Sequence, residues 1–266
     1  REYMNILFAF LVISVLGLLL GAGLAVADKL LKVKKDEKLE KLEAIMPGAN
    51  CGGCGFAGCS AYASAVAEGT AKPGLCSPGG KDLAAKMGEI MGVSVEEAER
   101  KVAFVFCQGG KDITREDYKY QGIKDCNAAS LLFQGPNGCK EGCLHMGSCM
   151  AVCPVKAIIY DEDGNVKVDK EKCVGCGACT KVCPNGVIKL VPYSAEYIVA
   201  CNNHEPGGKA KKNCSKACIG CKMCVLKVEN SPFAVDKFLS VNDYSKDQSA
   251  CPLAAEKCPQ KSIVRR

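Results

Sequence analysis

The sequence predicts an α+β protein built from small modules stapled by cysteine-bound centres, with a transmembrane helix at its N-terminal end. Three observations lead there. Twenty-one of the 266 residues are cysteine, about 8% and several times ordinary usage, while tryptophan is absent and aromatics make up 6%. Those cysteines fall in spaced groups between short helix- and strand-forming stretches, and one long uncharged run precedes them all. The length allows one or two conventional domains, or several small ones held by something other than apolar burial. An odd number of thiols does not pair fully into disulfides within one chain. A hydrophobic content of 48% without long repeats excludes collagenous, disordered and coiled-coil chains. The net charge of +6, from 35 Lys+Arg against 29 Asp+Glu, suits an acidic partner or an anionic membrane face and is too weak to point to nucleic acid.

Residues 6–27, ILFAFLVISVLGLLLGAGLAVA, carry no charge, and about 20 apolar residues span a bilayer as a helix. The rival reading is a cleaved signal peptide, since Ala25, Val26 and Ala27 resemble a cleavage site, but the run is longer than a signal core of about 7–15 residues. Lys29, Lys32, Lys34, Lys35, Lys38 and Lys41 follow it, and positive flanks stay cytoplasmic. The expectation is a retained single-pass anchor over 4–27 with the bulk of the chain on the cytoplasmic side. Gly17 and Gly21 form a G-x-x-x-G, either a helix-packing face or ordinary membrane-helix glycine. Because the chain opens on Arg1, its natural start is expected upstream or at Met4. Residues 28–49 alternate charge with Leu30, Leu31, Val33, Leu39, Leu42 and Ile45, which reads as a helical stalk with a solvated face, ending at Met46, Pro47 and Gly48.

The first cysteine group is Cys51-x2-Cys54-x4-Cys59-x16-Cys76 in a glycine-rich setting, NCGGCGFAGC. Glycines let the backbone wrap tightly and turn amides inward. An alanine-rich helix over 60–68 returns the chain to Cys76. Four thiolates at this spacing suit zinc or a [4Fe-4S] cluster; zinc more often takes two C-x2-C hooks, which favours iron–sulfur. Residues 81–106 read as two short helices and a strand, the second helix opened by a Ser94/Glu97 capping box, and KVAFVF leads to Cys107.

The second group carries the strongest signal. Cys173-x2-Cys176-x2-Cys179-x3-Cys183-Pro184 is the bacterial ferredoxin run, whose fourth cysteine serves the neighbouring cluster. Its companion is Cys139-x3-Cys143-x5-Cys149-x3-Cys153-Pro154, and the stretch between them turns at Asp163 and Gly164 as a hairpin. Crossing assigns Cys173, Cys176, Cys179 and Cys153 to one cluster. Cys143, Cys149 and Cys183 go to the other, where Met146 stands at the ordinary middle position and Cys139 is the natural substitute. The offsets Cys126-x12-Cys139-x3-Cys143-x5-Cys149 recur as Cys201-x12-Cys214-x3-Cys218-x5-Cys224. The second copy has Cys221 where Met146 stands and Val228 where Cys153 stands. It therefore reads as a degenerate ferredoxin-like module with one cluster on Cys218, Cys221, Cys224 and Cys258, Cys251 competing for the fourth place.

Four clusters use sixteen cysteines. Cys107, Cys126, Cys201 and Cys214 then either converge on a fifth cluster at the junction or remain as buried thiols behaving as small hydrophobes. The expected cofactors are [4Fe-4S] clusters, at least three and as many as four or five. His145 and His204 lie in cysteine loops and read as bystanders or groups supporting the ligands. Lys172, Lys181, Lys209, Lys211, Lys212 and Lys216 read as solvated charge, or as a surface steering an acidic donor. Neither a dinucleotide-binding G-x-G-x-x-G after a strand nor a P-loop is present, so the catalytic ends belong to partners. The expected layout is an anchor over 4–27, a stalk over 28–49, a four-cysteine [4Fe-4S] domain over 50–106, a 2[4Fe-4S] ferredoxin-like module with an N-terminal cysteine extension over 107–195, and a degenerate ferredoxin-like module over 196–266.

The membrane helix, charged stalk, NCGGCGFAGC with Cys76 and following ferredoxin modules resemble the RnfB family. Its members are electron-transfer subunits of the Rnf complexes, ion-translocating ferredoxin:NAD+ oxidoreductases. FCQGG, YQGIKDCNAASLL and GPNGCKEGC resemble the longer version found in anaerobic bacteria. The resemblance implies a membrane-bound subunit that takes electrons from reduced ferredoxin and passes them to membrane and flavin-bearing partner subunits. NAD+ is reduced at the far end while Na+ or H+ is translocated. It also implies cluster ligands at Cys51, Cys54, Cys59 and Cys76 and through the pair of runs from Cys139 to Cys183.

Overall fold

The computed structural model describes residues 2–30, 36–95, 99–110 and 112–266. Lys32, Lys34, Lys35 and Glu97 lie outside the described residues, and with them part of the lysine flank and the capping box. Helix α1 (Glu2–Leu30) contains the 24-residue stretch Tyr3–Val26, of mean hydropathy 2.6. Among the described residues it is the one helix long and apolar enough to cross a membrane.

The second half of the expected stalk is not free. Asp36 caps helix α2 (Glu37–Ile45) by accepting from the Lys38 amide at 3.0 Å, and a Glu37–Lys41 pair lies on the solvated face. The apolar positions face the other way. Leu42 is 0% exposed, packed with Tyr62 and Val66 of helix α3 (Cys59–Ala67) and Leu83 and Met87 of helix α4 (Gly80–Met91). Burying a leucine side chain is worth about 1.5–3 kcal/mol, enough to turn a stalk segment into part of the first small domain.

Two repeats of one arrangement follow. The first pairs strand β1 (Lys101–Val105) antiparallel with β4 (Ile188–Pro192), from Lys101↔Pro192 to Val105↔Ile188. Between them lie the hairpin of β2 (Ile158–Tyr160) and β3 (Val166–Val168), and the short helices α5 (Cys126–Ser130), α6 (Ser148–Ala151) and α7 (Ala178–Val182). The second pairs β5 (Tyr197–Val199) with β8 (Ile263–Arg265). It encloses α8 (Gly207–Asn213), α9 (Met223–Leu226), the hairpin β6 (Phe233–Asp236) with β7 (Leu239–Asn242), and α10 (Cys251–Lys257). Equivalent bonds close both sheets: the Phe106 amide donates to the Val187 carbonyl, and the Ala200 amide to that of Ser262, each at 2.7 Å.

The KVAFV strand lies in this first repeat rather than with the 51–76 segment, so the expected division between residues 106 and 107 cuts through a packed unit. Val102, Ala103 and Val105 are buried against Ala157, Val187 and Ile188. The complementary β4 strand lies 83 residues downstream of the end of β1 (188 − 105 = 83).

Gly175 binds the tip of the 173–179 loop to β1. Its φ is +66°, and a Cβ there would run into the Lys101 carbonyl. Gly164, at the hairpin turn, has φ +76° with nothing within 4 Å. Gly164→Ala is expected to cost about 1 kcal/mol for left-handed backbone alone, and Gly175→Ala about 2 kcal/mol or more because a backbone collision is added. Thermal melting of the anaerobically prepared chain measures the difference.

Candidate metal centres

The local sequence around each cysteine decides where its sulfur points. In the first group the Asn50 carboxamide accepts from the Cys59 amide at 2.8 Å and starts α3. Tyr62 then ties down the returning loop, its hydroxyl donating to the Lys72 carbonyl (2.9 Å) and accepting from the Leu75 amide (3.0 Å). The loop ends at buried Cys76, whose thiol is pushed up by burial, with Cys59, Cys54 and Cys51 adding to the effect. The other three thiols therefore lie within electrostatic reach of Cys76.

Cys173, Cys176, Cys179 and Cys153 form the second quartet. Burial pushes Cys179 up to about 12, reinforced by the other three and by Cys149. Backbone amides aim at the sulfurs: Ala103 donates to Cys173 at 3.4 Å and Ala157 to Cys153 at 3.2 Å.

The third and fourth quartets differ from the expectation that spacing gives. Cys126, not Cys139, joins Cys143, Cys149 and Cys183 around one pocket. The reason is a short network at the start of α5 and α6. Asp125 caps α5 through the Ala128 amide (2.9 Å) and accepts from the Ser148 hydroxyl (2.7 Å), and that hydroxyl accepts from the Cys126 amide (2.7 Å). This pins Cys126 beside Cys149 and fills the place left by Met146. Cys139 instead joins Cys107, Cys201 and Cys214 around a pocket between the two repeats, whose wall also includes Cys143. Fully buried Asn203 donates to its sulfur at 3.1 Å and is held in turn by Glu205, to which Asn213 donates at 2.9 Å.

The junction draws the same two positions from each repeat. Cys107 and Cys201 each stand two residues past the first strand, their amides bonded back to Val105 and Val199. Each sulfur accepts from the amide of the next repeat-equivalent cysteine, Cys143 (3.4 Å) and Cys218 (3.3 Å). Cys139 and Cys214 each precede those residues by four. The equivalence of Cys126 with Cys201 suggested by equal spacing is therefore not the structural one; Cys126 belongs to a longer connection in the first repeat. Burial pushes Cys107 up to about 11 and Cys201 up to about 12. His204 supports the junction from outside, its Nδ1 lying 2.6 Å from Glu141.

Cys218, Cys221, Cys224 and Cys258 line the fifth pocket. Amides of Ser240 and Ser262 donate to Cys218 and Cys258, each at 3.4 Å. Cys251 is excluded: it is 0% exposed in the apolar core of the second repeat, facing Asn242 and Gln248.

Neighbouring quartets adjoin in one series. The first meets the second at Gly53, where a Cβ would stand 2.8 Å from the Cys176 carbonyl, and Cys51 lies within electrostatic reach of Cys176. The second meets the third through Cys179 and Cys149, the third meets the junction through Cys143 and Cys107, and the junction meets the last quartet through Cys201 and Cys218. Among the described residues no group of three or more His, Cys, Asp and Glu side chains is placed to hold a single metal ion. The thiols ring wider spaces lined by amide donors, which fits a polynuclear cluster. Burial disfavours free thiolates there, and cationic iron held by these cysteines would supply the missing countercharge.

Residues 46–78 match a family described as a putative Fe-S cluster, and residues 139–190 match a 4Fe-4S dicluster domain. The dicluster match begins at Cys139 and so leaves out Cys126. Fold and sites thus define an iron–sulfur protein with 4Fe-4S domains. The B component of the Na+-translocating ferredoxin:NAD+ oxidoreductase complex of Acetobacterium woodii is 41% identical over 252 residues, 95% of this chain and 75% of that protein. The B component of the ion-translocating oxidoreductase complex of Methanosarcina acetivorans is 37% identical over 255 residues, 96% of each chain. The B component of the proton-translocating ferredoxin:NAD+ oxidoreductase complex of Clostridium ljungdahlii is 36% identical over 265 residues, 97% of this chain and 92% of that one. The chain belongs to this family, the RnfB components of the ion-translocating oxidoreductase complexes.

Cys126→Ser and Cys139→Ser are expected to remove different centres, about four iron atoms each and about eight in the double variant. Iron analysis with EPR of the reduced chains checks this. If Cys126→Ser retains full iron while Cys139→Ser abolishes the same signal as Cys143→Ser, the spacing-based assignment is restored.

Proposed function

We propose that the chain is the membrane-tethered electron-transfer subunit of such a complex. In this reading it holds five [4Fe-4S] clusters and carries electrons from reduced ferredoxin toward partner subunits that reduce NAD+ as Na+ or H+ is translocated. The observation that carries the reading is the unbroken series of five cysteine quartets, each adjoining the next. When bound, such clusters accept and release single electrons with little rearrangement, at potentials set by charge, hydrogen bonds and exposure.

The chain's own residues hold the sites at fixed spacing, keep water from their buried sides and point amides at the sulfurs. Asn203 does the same with a side chain at the junction. The two repeats are two tandem ferredoxin-like modules, the second reduced to one quartet of its own because Val228 and Cys251 leave no crossed partner set. Helix α1 serves as a single-pass anchor. With Lys38 and Lys41 following it, the cysteine-bearing part lies on the cytoplasmic side. The quartet of Cys51, Cys54, Cys59 and Cys76 stands nearest the anchor in the chain and faces the membrane partners; the ferredoxin-like modules face the donor. Nicotinamide and flavin sites belong to the partner subunits.

The anaerobically prepared chain is expected to contain about twenty iron atoms and as many acid-labile sulfides. About sixteen would strike out the junction centre, and zinc without sulfide would end the reading. In the assembled complex, Cys51→Ser is expected to stop NAD+ reduction while the modules remain reducible by ferredoxin. Equal loss of their reduction would reverse the proposed order.

A further inference from the structure

One ligand position differs from all the others. Among the described residues Cys221 is the one exposed cysteine of the 21, and it belongs to the last quartet of the series. The residue after it is also unusual. In the first repeat the two corresponding loop positions, each opening the short helix that follows, are glycines with left-handed backbone: Gly147 (φ +81°) before α6 and Gly177 (φ +73°) before α7. Before α9 the same position is Lys222, with φ +59°. An L side chain adopts that backbone only at a cost, so a long cation stands beside the exposed ligand where glycine would sit without strain.

The surroundings continue the pattern. Between Glu205 and Glu229 the chain has no carboxylate and six lysines: Lys209, Lys211, Lys212, Lys216, Lys222 and Lys227. Lys237 stands at the tip of the β6–β7 hairpin, where the Phe238 backbone covers the ligand loop so closely that a Cβ on Gly220 would lie 2.7 Å from the Phe238 carbonyl. Lys222, Lys227 and Lys237 are exposed, and among the described residues none of them is in an ion pair. Two large apolar side chains stand among them, Leu226 (74% exposed) and Phe238 (50% exposed). Exposed Glu229 and Asp236 stand near Lys227 and Lys237, so the rim is mixed in sign with lysine in excess. Apolar contacts within such a rim, next to an exposed cysteine ligand, have the composition of a small transient redox interface. Charge there steers the encounter and apolar contact orients it.

We infer that the face formed by Cys221, Lys222, Leu226, Lys227, Lys237 and Phe238 is the docking surface for an acidic one-electron carrier protein. The inference rests on the proposed electron-transfer function and names the place where the donor arrives. Lys222, Lys227 and Lys237, with Lys209, Lys211, Lys212 and Lys216 earlier in the same stretch, exceed the carboxylates Glu229 and Asp236, and that excess selects a negatively charged partner. The position at the end of the series furthest along from the Cys51 quartet gives that partner an access of its own. Another exposed apolar group near a quartet, Leu131, Leu132 and Phe133 after α5, follows a buried ligand, Cys126, and carries no comparable run of lysines.

The test uses the full-length, iron-loaded chain in its complex and an acidic 2[4Fe-4S] ferredoxin as probe. Affinity is measured by interferometry with the oxidised probe, and the reduction rate by stopped flow with the reduced one. Lys222→Gly is expected to keep the iron content of the parent and to match or raise its melting temperature, because glycine relieves the left-handed backbone, while weakening binding several-fold. The triple variant with Lys222, Lys227 and Lys237 each changed to Glu is expected to lose about tenfold or more in affinity and in second-order rate at low ionic strength. The gap should close as salt shortens the Debye length below about 10 Å. Lys119→Glu, in the connection that leads to Leu131, should behave as the parent. Parent-like binding by the triple variant, or a loss confined to Lys119→Glu, overturns the surface and leaves the electron-transfer reading standing. A parent chain that dithionite reduces but the ferredoxin neither binds nor reduces overturns the donor reading and the surface together.

Discussion

Sulfur ligation is the constraint on which the rest of this structure depends. Each of the three larger apolar cores contains cysteines of a quartet or packs directly on them: Cys143, Cys149, Cys173 and Cys179 in the first repeat, Cys201, Cys214, Cys218 and Cys224 in the second, and Cys76 beside Leu42 and Tyr62 in the small domain. In the two repeats, sheets of two strands and helices of four to seven residues bury too little to persist on that basis alone. Holding a cationic centre among thiols whose ionisation burial opposes makes metal binding and folding one equilibrium.

The short-range geometry was legible in the sequence because it is local. C-x2-C-x2-C spacing, the Asp163 and Gly164 turn, and the alanine-rich helix before Cys76 each depend on a few neighbouring residues. What was not legible is which distant cysteine completes a quartet. Cys126 and Cys139 both stand within reach of Cys143 and Cys149, and spacing alone favoured the nearer one. The choice is made by side chains with no cysteine motif of their own: Asp125 and Ser148 draw Cys126 in, and buried Asn203 holds Cys139 at the junction. A capping Asp directly before a cysteine was the available signal. The position of β1 was hidden for a similar reason, since its partner β4 lies far down the chain and strand pattern does not name a partner. The α2 segment shows the reverse case: its charges suggested a solvated stalk, while Leu42, with Leu39 and Ile45 beside it, packs it into the core of the small domain.

The two repeats have kept one topology and divided their roles. In the first, a long connection after Cys107 brings in α5 and completes a second quartet within the repeat. In the second, the connection is short, Cys221 stands at the ordinary position, and the crossed partner set is gone. Loss of a quartet there left Cys251 as core packing, where a small apolar residue would serve as well. Gain and loss both act on connections and helix ends, while the paired strands β1–β4 and β5–β8 are unchanged in arrangement.

The junction quartet has a consequence for assembly. Each repeat supplies half of its thiols, so neither can close it alone, and a chain whose second repeat is unfolded or undocked presents only Cys107 and Cys139. The site therefore acts as a coincidence detector: it reports that both halves are complete and correctly apposed. A miscast molecule would carry its break at the fourth of the five positions, where a gap isolates the last quartet from the first three.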